Sequence, residues 1–166
     1  MSLKLDKLKI LVVDDIEPIK QLIADTIGTL GVQHIHTASD GNEAFDVFCN
    51  TNPDIVLTDW HMPRGSGIDL MKKIRTSDYS PNKMVPIIMI TGYSAPSRIA
   101  TCRDGGATEF LAKPFDAKGL IMRISHVIKH PRDFIDCLDY FGPDRRRNLK
   151  KNYQGAYKRQ TDFEPQ

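Results

Sequence analysis

The chain has 166 residues, room for one ordinary domain and too few for two comfortable ones. Hydrophobic residues make up 40% and charged residues 27%, with a formal net charge of +2, which is the balance of a globular protein and excludes a wholly disordered or membrane-embedded one. No apolar run approaches the ~20 residues that cross a bilayer.

The N-terminal stretch MSLKLDKLK has no apolar signal core, so a cytoplasmic location and no membrane partner are expected. Lys9-Ile10-Leu11-Val12-Val13 then reads as a buried strand that stops abruptly at Asp14-Asp15. Pro18 suits the first turn of a helix, and Ile19, Leu22, Ile23, Ile27 and Leu30 recur at helical spacing up to Gly31. A weaker strand follows over residues 33–38. Asp40-Gly41-Asn42-Glu43 has the form of a capped helix start, leading into Ala44, Phe45, Val47 and Phe48 and stopping before Pro53.

The next strand covers residues 54–58 and again ends on an aspartate, Asp59. A loop with Pro63, Gly65 and Gly67 leads to a helix carrying Ile68, Leu70, Met71 and Ile74. Residues 85–90 form a strand that ends at Thr91-Gly92. A polar helix over about residues 95–104 precedes Gly105-Gly106, and residues 108–112 form the last strand, ending at Lys113-Pro114. A helix over about residues 116–129 places Leu120, Ile121, Ile124, Val127 and Ile128 on its apolar side. Five strands alternating with five helices predict an α/β fold with a doubly wound five-stranded parallel sheet. Strands covered on both faces explain the continuous apolar runs.

Beyond residue 130 the composition changes. Phe134, Ile135, Leu138, Tyr140 and Phe141 can dock on the body or on a partner. Between Asp144 and Arg159 there are seven basic residues and one acidic, including Arg145-Arg146-Arg147 and Lys150-Lys151 with Tyr153 and Tyr157 interleaved. Residues 131–166 are therefore expected to be an extension, partly apolar and then basic, that is flexible and solvated. Cys49, Cys102 and Cys137 are odd in number and far apart. They fit neither a zinc spacing nor a disulfide framework and read as reduced packing residues. His34, His36, His126 and His130 show no metal-like grouping, and Trp60 is expected to pack.

The informative pattern is where polar residues fall. Asp14, Asp15, Asp59, Thr91 and Lys113 each sit at the carboxyl end of a predicted strand, and in an open parallel sheet those ends share one edge, where ligands bind. Clustered carboxylates repel one another unless compensated. A hard divalent cation relieves this, and an all-oxygen ligand set favours Mg²⁺. A lysine nearby adds compensation and a partner for a phosphate oxygen. One carboxylate can then act as nucleophile toward a phosphoryl donor.

Leu11-Val12-Val13-Asp14-Asp15, Asp59-Trp60-His61-Met62-Pro63, Thr91-Gly92 and Lys113-Pro114-Phe115, in this order and spacing, resemble the signature of CheY-like response-regulator receiver domains. The resemblance covers residues 7–130 and leaves the extension uncovered. It implies a (βα)5 flavodoxin-like fold and a single-domain response regulator of two-component phosphorelay signalling. By position, Asp59 would be the phosphoacceptor. Asp15 would bind Mg²⁺ directly and Asp14 through water, with Asp59 and the backbone carbonyl of His61 as further ligands. Thr91 and Lys113 would contact the phosphate, and Thr91 and Phe110 would form the switch pair. His61 and Tyr93 would hold the two positions that, by the same resemblance, influence how fast the acyl phosphate hydrolyses. The implied partners are a histidine kinase or histidine phosphotransfer protein, and a downstream protein that meets the face around Phe110 and the last helix. A homodimer stays open.

Two other readings compete. A Mg²⁺-dependent phosphatase or phosphotransferase could use an aspartyl-phosphate, but haloacid-dehalogenase-like enzymes carry a second aspartate two residues after the nucleophile, where this chain has His61. The chain is therefore expected to be a regulatory phosphoacceptor and not an enzyme. A DNA-binding regulator would use the basic extension, but that segment is too short and irregular for a helix-turn-helix, so nucleic acid is not the expected partner.

Overall fold

The first five strands are four or five residues long; the three central ones are almost wholly buried, as pairing on both sides and coverage on both faces require, while the edge strand of sequence His-Ile-His-Thr-Ala is largely polar and partly exposed. In the computed structural model, which describes residues 5–92 and 95–145, these strands are β1 (Lys9–Val13), β2 (His34–Ala38), β3 (Ile55–Asp59), β4 (Ile87–Thr91) and β5 (Glu109–Ala112). They form one parallel sheet in the order β2-β1-β3-β4-β5. The helices are α1 (Glu17–Gly28), α2 (Gly41–Thr51), α3 (Gly67–Thr76), α4 (Pro96–Asp104) and α5 (Ala117–Lys129). This is the doubly wound (βα)5 fold that the sequence predicts.

Local chemistry sets where the helices start. The Asp40 carboxylate accepts from the backbone N–H groups of Asn42 and Glu43, Asp116 accepts from Gly119 N–H, and Ser66 Oγ accepts from Asp69 N–H. Pro18 and Pro96 lie in the first turns of α1 and α4, where no N–H is needed. Two apolar clusters sandwich the sheet. One joins Leu11, Val13, Val56, Ile87 and Met89 to α2 and α3 through Phe45, Phe48, Met71 and Ile74. The other joins Ile10, Val12, Leu57, Ile88 and Ile90 to α1 and α5 through Ile23, Ile27, Leu120 and Ile124.

The fold continues past residue 130. The expectation of a flexible extension over 131–166 is corrected for its first part. Phe134–Cys137 (β6) and Tyr140–Pro143 (β7) form an antiparallel hairpin. Phe134 and Phe141 pack ring to ring at 5.7 Å, and Leu138 is fully exposed at the turn. Docking is polar as much as apolar. Arg75 on α3 sits 2% exposed, with its guanidinium 4.9 Å from the Phe134 ring. Arg132 donates to Thr108 O at 3.1 Å and to Asp144 O, and Arg145 pairs with Asp104 at 2.8 Å. The hairpin therefore lies under the loop between α4 and β5, at the amino end of the strands. Arg146, Arg147, Lys150, Lys151, Tyr153 and Tyr157, on which the DNA-binding reading rested, lie outside the described residues.

Candidate functional site: an acidic cluster with one lysine

The strand order decides which side chains meet. β1 lies between β2 and β3, so the acidic pair after Val13 stands next to the end of β3. Asp59 pairs in register with Ile90, Thr91 with Ala112, and Lys113 N–H donates to Thr91 O at 2.8 Å. Residues some hundred positions apart are thus drawn to one sheet edge.

Asp14, Asp15 and Asp59 each offer a carboxylate oxygen within 4.8 Å of the others. Asp14 and Asp59 are buried and Asp15 is exposed. Lys113 reaches back over them, its Nζ 3.2 Å from Asp59 Oδ1 and 3.3 Å from Asp14 Oδ2. The other oxygen of Asp14 accepts from Ile16 N–H at 2.9 Å, which fixes the carboxylate as α1 begins.

The two charged partners shift in ways that look opposed. Burial raises the Asp59 pKa above the ordinary carboxylate value, with the charge of Asp14 adding to it, and the lysine only partly offsets this. Burial pulls Lys113 down, but the two carboxylates and their hydrogen bonds outweigh it, and the ammonium ends above its usual value. Both directions have one physical origin: a single, more exposed ammonium is shared between two carboxylates. Lys113 therefore gains fully from pairing, whereas Asp59 has half a partner and a like-charged neighbour.

The donor set fits a hard divalent cation. Three carboxylates face one ammonium, every side-chain donor is oxygen, and the edge is open to water on the Asp15 side. The main chain beside the cluster is tightly held. Trp60 N–H donates to Ile90 O and Trp60 O accepts from Gly67 N–H at 2.9 Å. At Gly67 a Cβ would overlap the Asp59 carbonyl oxygen.

Compared with known proteins, residues 10–125 match the family model of the response regulator receiver domain. The chain belongs to that family. It is similar to the chemotaxis protein CheY1 of Helicobacter pylori strain 26695, at 34% identity over 122 residues, covering 73% of this chain and 97% of that protein. Similarity to the chemotaxis protein CheY of Pseudomonas aeruginosa is 30% over 122 residues, covering 74% and 97%. Among solved structures, Vibrio cholerae CheY4 superposes with a TM-score of 0.67 at 31% identity, covering 72% of this chain and 98% of that one. The CheY of a CheX–CheY–BeF3–Mg²⁺ complex from Borrelia burgdorferi gives 0.67 at 30%, covering 73% and 89%. The protein is thus a CheY-like response regulator of two-component signalling, and the receiver match leaves the β6–β7 hairpin outside it.

Within this receiver domain the sequence-based candidates fall as follows. Asp14, Asp15, Asp59 and Lys113 are brought together, and Thr91 is buried at the adjoining strand end. His61 is exposed on the loop after Asp59, and its Nε2 lies 3.1 Å from Arg98 Nη1. Tyr93 lies outside the described residues. Phe110 is half-buried in the middle of edge strand β5, against the core, with the Arg123 guanidinium 5.9 Å from its ring. Trp60 does more than pack, since the Arg98 guanidinium lies 5.4 Å from its ring. Burial pushes the Cys102 thiol up to about 11, so that cysteine is held as the thiol.

Sequence reasoning missed three charged residues. Glu109 is buried in β5 and pairs with Arg123 at 3.1 Å and, more loosely, with His126. Lys20 is buried in α1 between Glu17 and Ser39. Arg75 donates to three backbone carbonyls. Only Glu109, alone within an apolar strand, carried a signal that could have been read.

Proposed function

We propose that Asp59 accepts a phosphoryl group from a histidine kinase or a histidine phosphotransfer protein, with Mg²⁺ bound beside it, and that the output is a phosphorylation-dependent protein contact. One observation carries the reading: a single ammonium, Lys113, lies within ion-pair distance of Asp59 and Asp14 while Asp15 shares their cluster. The Mg²⁺ in the complex of the Borrelia relative supports the same cofactor.

In this reading an Asp59 carboxylate oxygen attacks phosphorus. The bond from phosphorus to the donor's imidazole nitrogen breaks, its electron pair stays on that nitrogen, and a mixed anhydride forms. Asp15, Asp59 and the backbone carbonyl of His61 would hold the metal directly and Asp14 through water, and the metal would supply positive charge to offset that of the carboxylates and the incoming phosphoryl oxygens. Lys113 turns from the carboxylates to a phosphate oxygen, and the Thr91 hydroxyl donates to another. Tyr93 and His61 limit access of water, so Tyr93→Ala shortens the phosphate lifetime.

Phosphorylation adds roughly −1.5 to −2 charge. Moving a two-state surface from 1:99 to 99:1 takes about 5.5 kcal/mol. Two charge-assisted hydrogen bonds, at roughly 1.5–3 kcal/mol each, are of that order, so Lys113 and Thr91 suffice as levers. Thr91 pairs in register beside β5, the strand that carries Phe110. Phe110 also borders a cavity of about 240 Å³ with Ile99, Cys102 and Arg103 of α4, which suits a face that rearranges for a protein partner.

The test is incubation with Mg²⁺ and a small acyl-phosphate donor, followed by intact-mass measurement. The wild type gains one phosphoryl group and Asp59→Asn gains none. An equal gain in both proteins, or in neither, defeats the reading.

A further inference from the structure

Arg98 stands in the first turn of α4 and reaches to the loop that leaves Asp59. Its Nη1 is 3.1 Å from His61 Nε2, and its guanidinium carbon is 5.4 Å from the centre of the Trp60 ring. The Trp60 and His61 rings stack at 6.0 Å, 26° apart. Arginine stays protonated and has no lone pair to offer. In a hydrogen bond between the two, Arg98 is therefore the donor and His61 Nε2 the acceptor. An exposed imidazole would otherwise change rotamer within picoseconds to nanoseconds. Here it is held between an indole on its own loop and a guanidinium from another element.

Resting on the reading of Asp59 as phosphoacceptor, we infer that Arg98 is a positioning residue for the chemistry there, holding the His61 side chain so that it restricts water. Loss of the phosphoryl group is hydrolysis. A water oxygen attacks phosphorus, the bond from phosphorus to the Asp59 oxygen breaks with its electrons returning to the carboxylate, and inorganic phosphate leaves with the proton. The attacking oxygen enters in line, opposite the carboxylate, and therefore from the open side of the pocket. His61 is exposed on the loop that leaves Asp59, two residues on, and in this inference its ring stands at that open side. Arg98 also ties α4, which follows Thr91 closely in the chain, to the β3–α3 loop, so one contact spans both segments that leave the site.

The experiment uses the full chain, phosphorylated with acetyl phosphate and Mg²⁺, freed of donor by rapid desalting, and followed by intact mass as the phosphoryl group is lost. Arg98→Ala is expected to decay about fivefold faster than wild type, a change that corresponds to roughly 1 kcal/mol. Arg98→Lys, which keeps a donor but not the planar fork, falls between the two. His61→Ala/Arg98→Ala decays no faster than His61→Ala alone, a non-additivity that general loosening of α4 would not produce. Trp60, the single tryptophan, reports folding of each variant and loss of the stacked guanidinium through its fluorescence. Decay of Arg98→Ala at the wild-type rate overturns the inference, and so does a double variant in which the two effects simply multiply. A wild type that never gains phosphoryl mass overturns the reading of Asp59 and the inference with it, whereas a phosphorylated wild type indifferent to Arg98→Ala overturns the inference alone.

Discussion

Replacing Arg75 by methionine tests whether the hairpin and the body form one folded unit. Methionine keeps most of the aliphatic stem and removes every donor. Arg75 Nε and Nη2 both donate to Gly106 O, at 3.1 and 2.9 Å, and Nη1 donates to Lys83 O and Val85 O at 2.7 Å each. Three carbonyls lose their donor, at about 1–3 kcal/mol apiece where they are buried. Against this stands the cost of burying the cation, visible in a guanidinium pushed down to about 9, and removing that charge returns part of the loss. The net expectation is a destabilisation of about 2–4 kcal/mol, read as a lower urea midpoint and a melting temperature reduced by roughly 4–16 °C. Because Phe134 covers the guanidinium, Arg75→Met also exposes the hairpin to limited proteolysis near residue 131 before the body unfolds. A variant as stable as the wild type to within ~0.5 kcal/mol would refute the reasoning, since surface substitutions cost no more than that.

Three further outcomes follow from the site. Burial raises the Asp59 pKa, so the folded chain holds that proton more tightly than the unfolded one; ionised Asp59 therefore costs stability at neutral pH, and the cost fades as pH falls through the folded pKa toward about 4. In chelator, Asp59→Asn is expected to be more stable than wild type in urea at pH 7, with the gap closing toward pH 4; a gap that does not change with pH counts against this. Mg²⁺ is expected to stabilise the wild type by about 2.7 kcal/mol at a hundred times its dissociation constant, and Asp15→Asn to need far more Mg²⁺ for the same rise in melting temperature. Gly67→Ala pushes a methyl group into the Asp59 carbonyl, and should cost about 1–3 kcal/mol and slow phosphoryl uptake by intact mass, while an alanine tolerated in both measurements would show that the loop yields freely.

What could be read from the sequence and what could not divide along a physical line. Continuous apolar runs that break on an aspartate, a threonine or a lysine are unambiguous, because a strand buried on both faces leaves polar residues nowhere to go but its end. Asp14, Asp15, Asp59, Thr91 and Lys113 follow that rule, and the strand order has only to bring the strand ends together. Helix starts were readable for a similar local reason, as at Asp40 and Asp116. Buried charges were not readable. Arg75, Lys20 and Glu109 carry side chains that sit in water in most contexts, and what buries them is partners distant in sequence, such as Gly106 for Arg75 and Ser39 for Lys20.

The hairpin was hidden by the same ambiguity. Phe134-Ile135-Asp136-Cys137-Leu138-Asp139-Tyr140-Phe141 alternates too irregularly to announce a strand, and its surroundings of aspartate and arginine resemble a solvated tail. Its arginines are spent inward instead. Arg132 goes to backbone oxygens of Thr108 and Asp144, Arg145 to Asp104, and the pairing of β6 with β7 supplies the rest. Thr108 stands at the amino end of β5 and Lys113 just past its carboxyl end, with Phe110 between them. At ~3.3 Å per residue the strand separates the Arg132 contact from the acidic cluster by only about 17 Å. The segment that the receiver resemblance leaves uncovered therefore anchors one end of the strand whose other end presents the lysine. That is a reason to keep residues 131–145 in every measurement of the site.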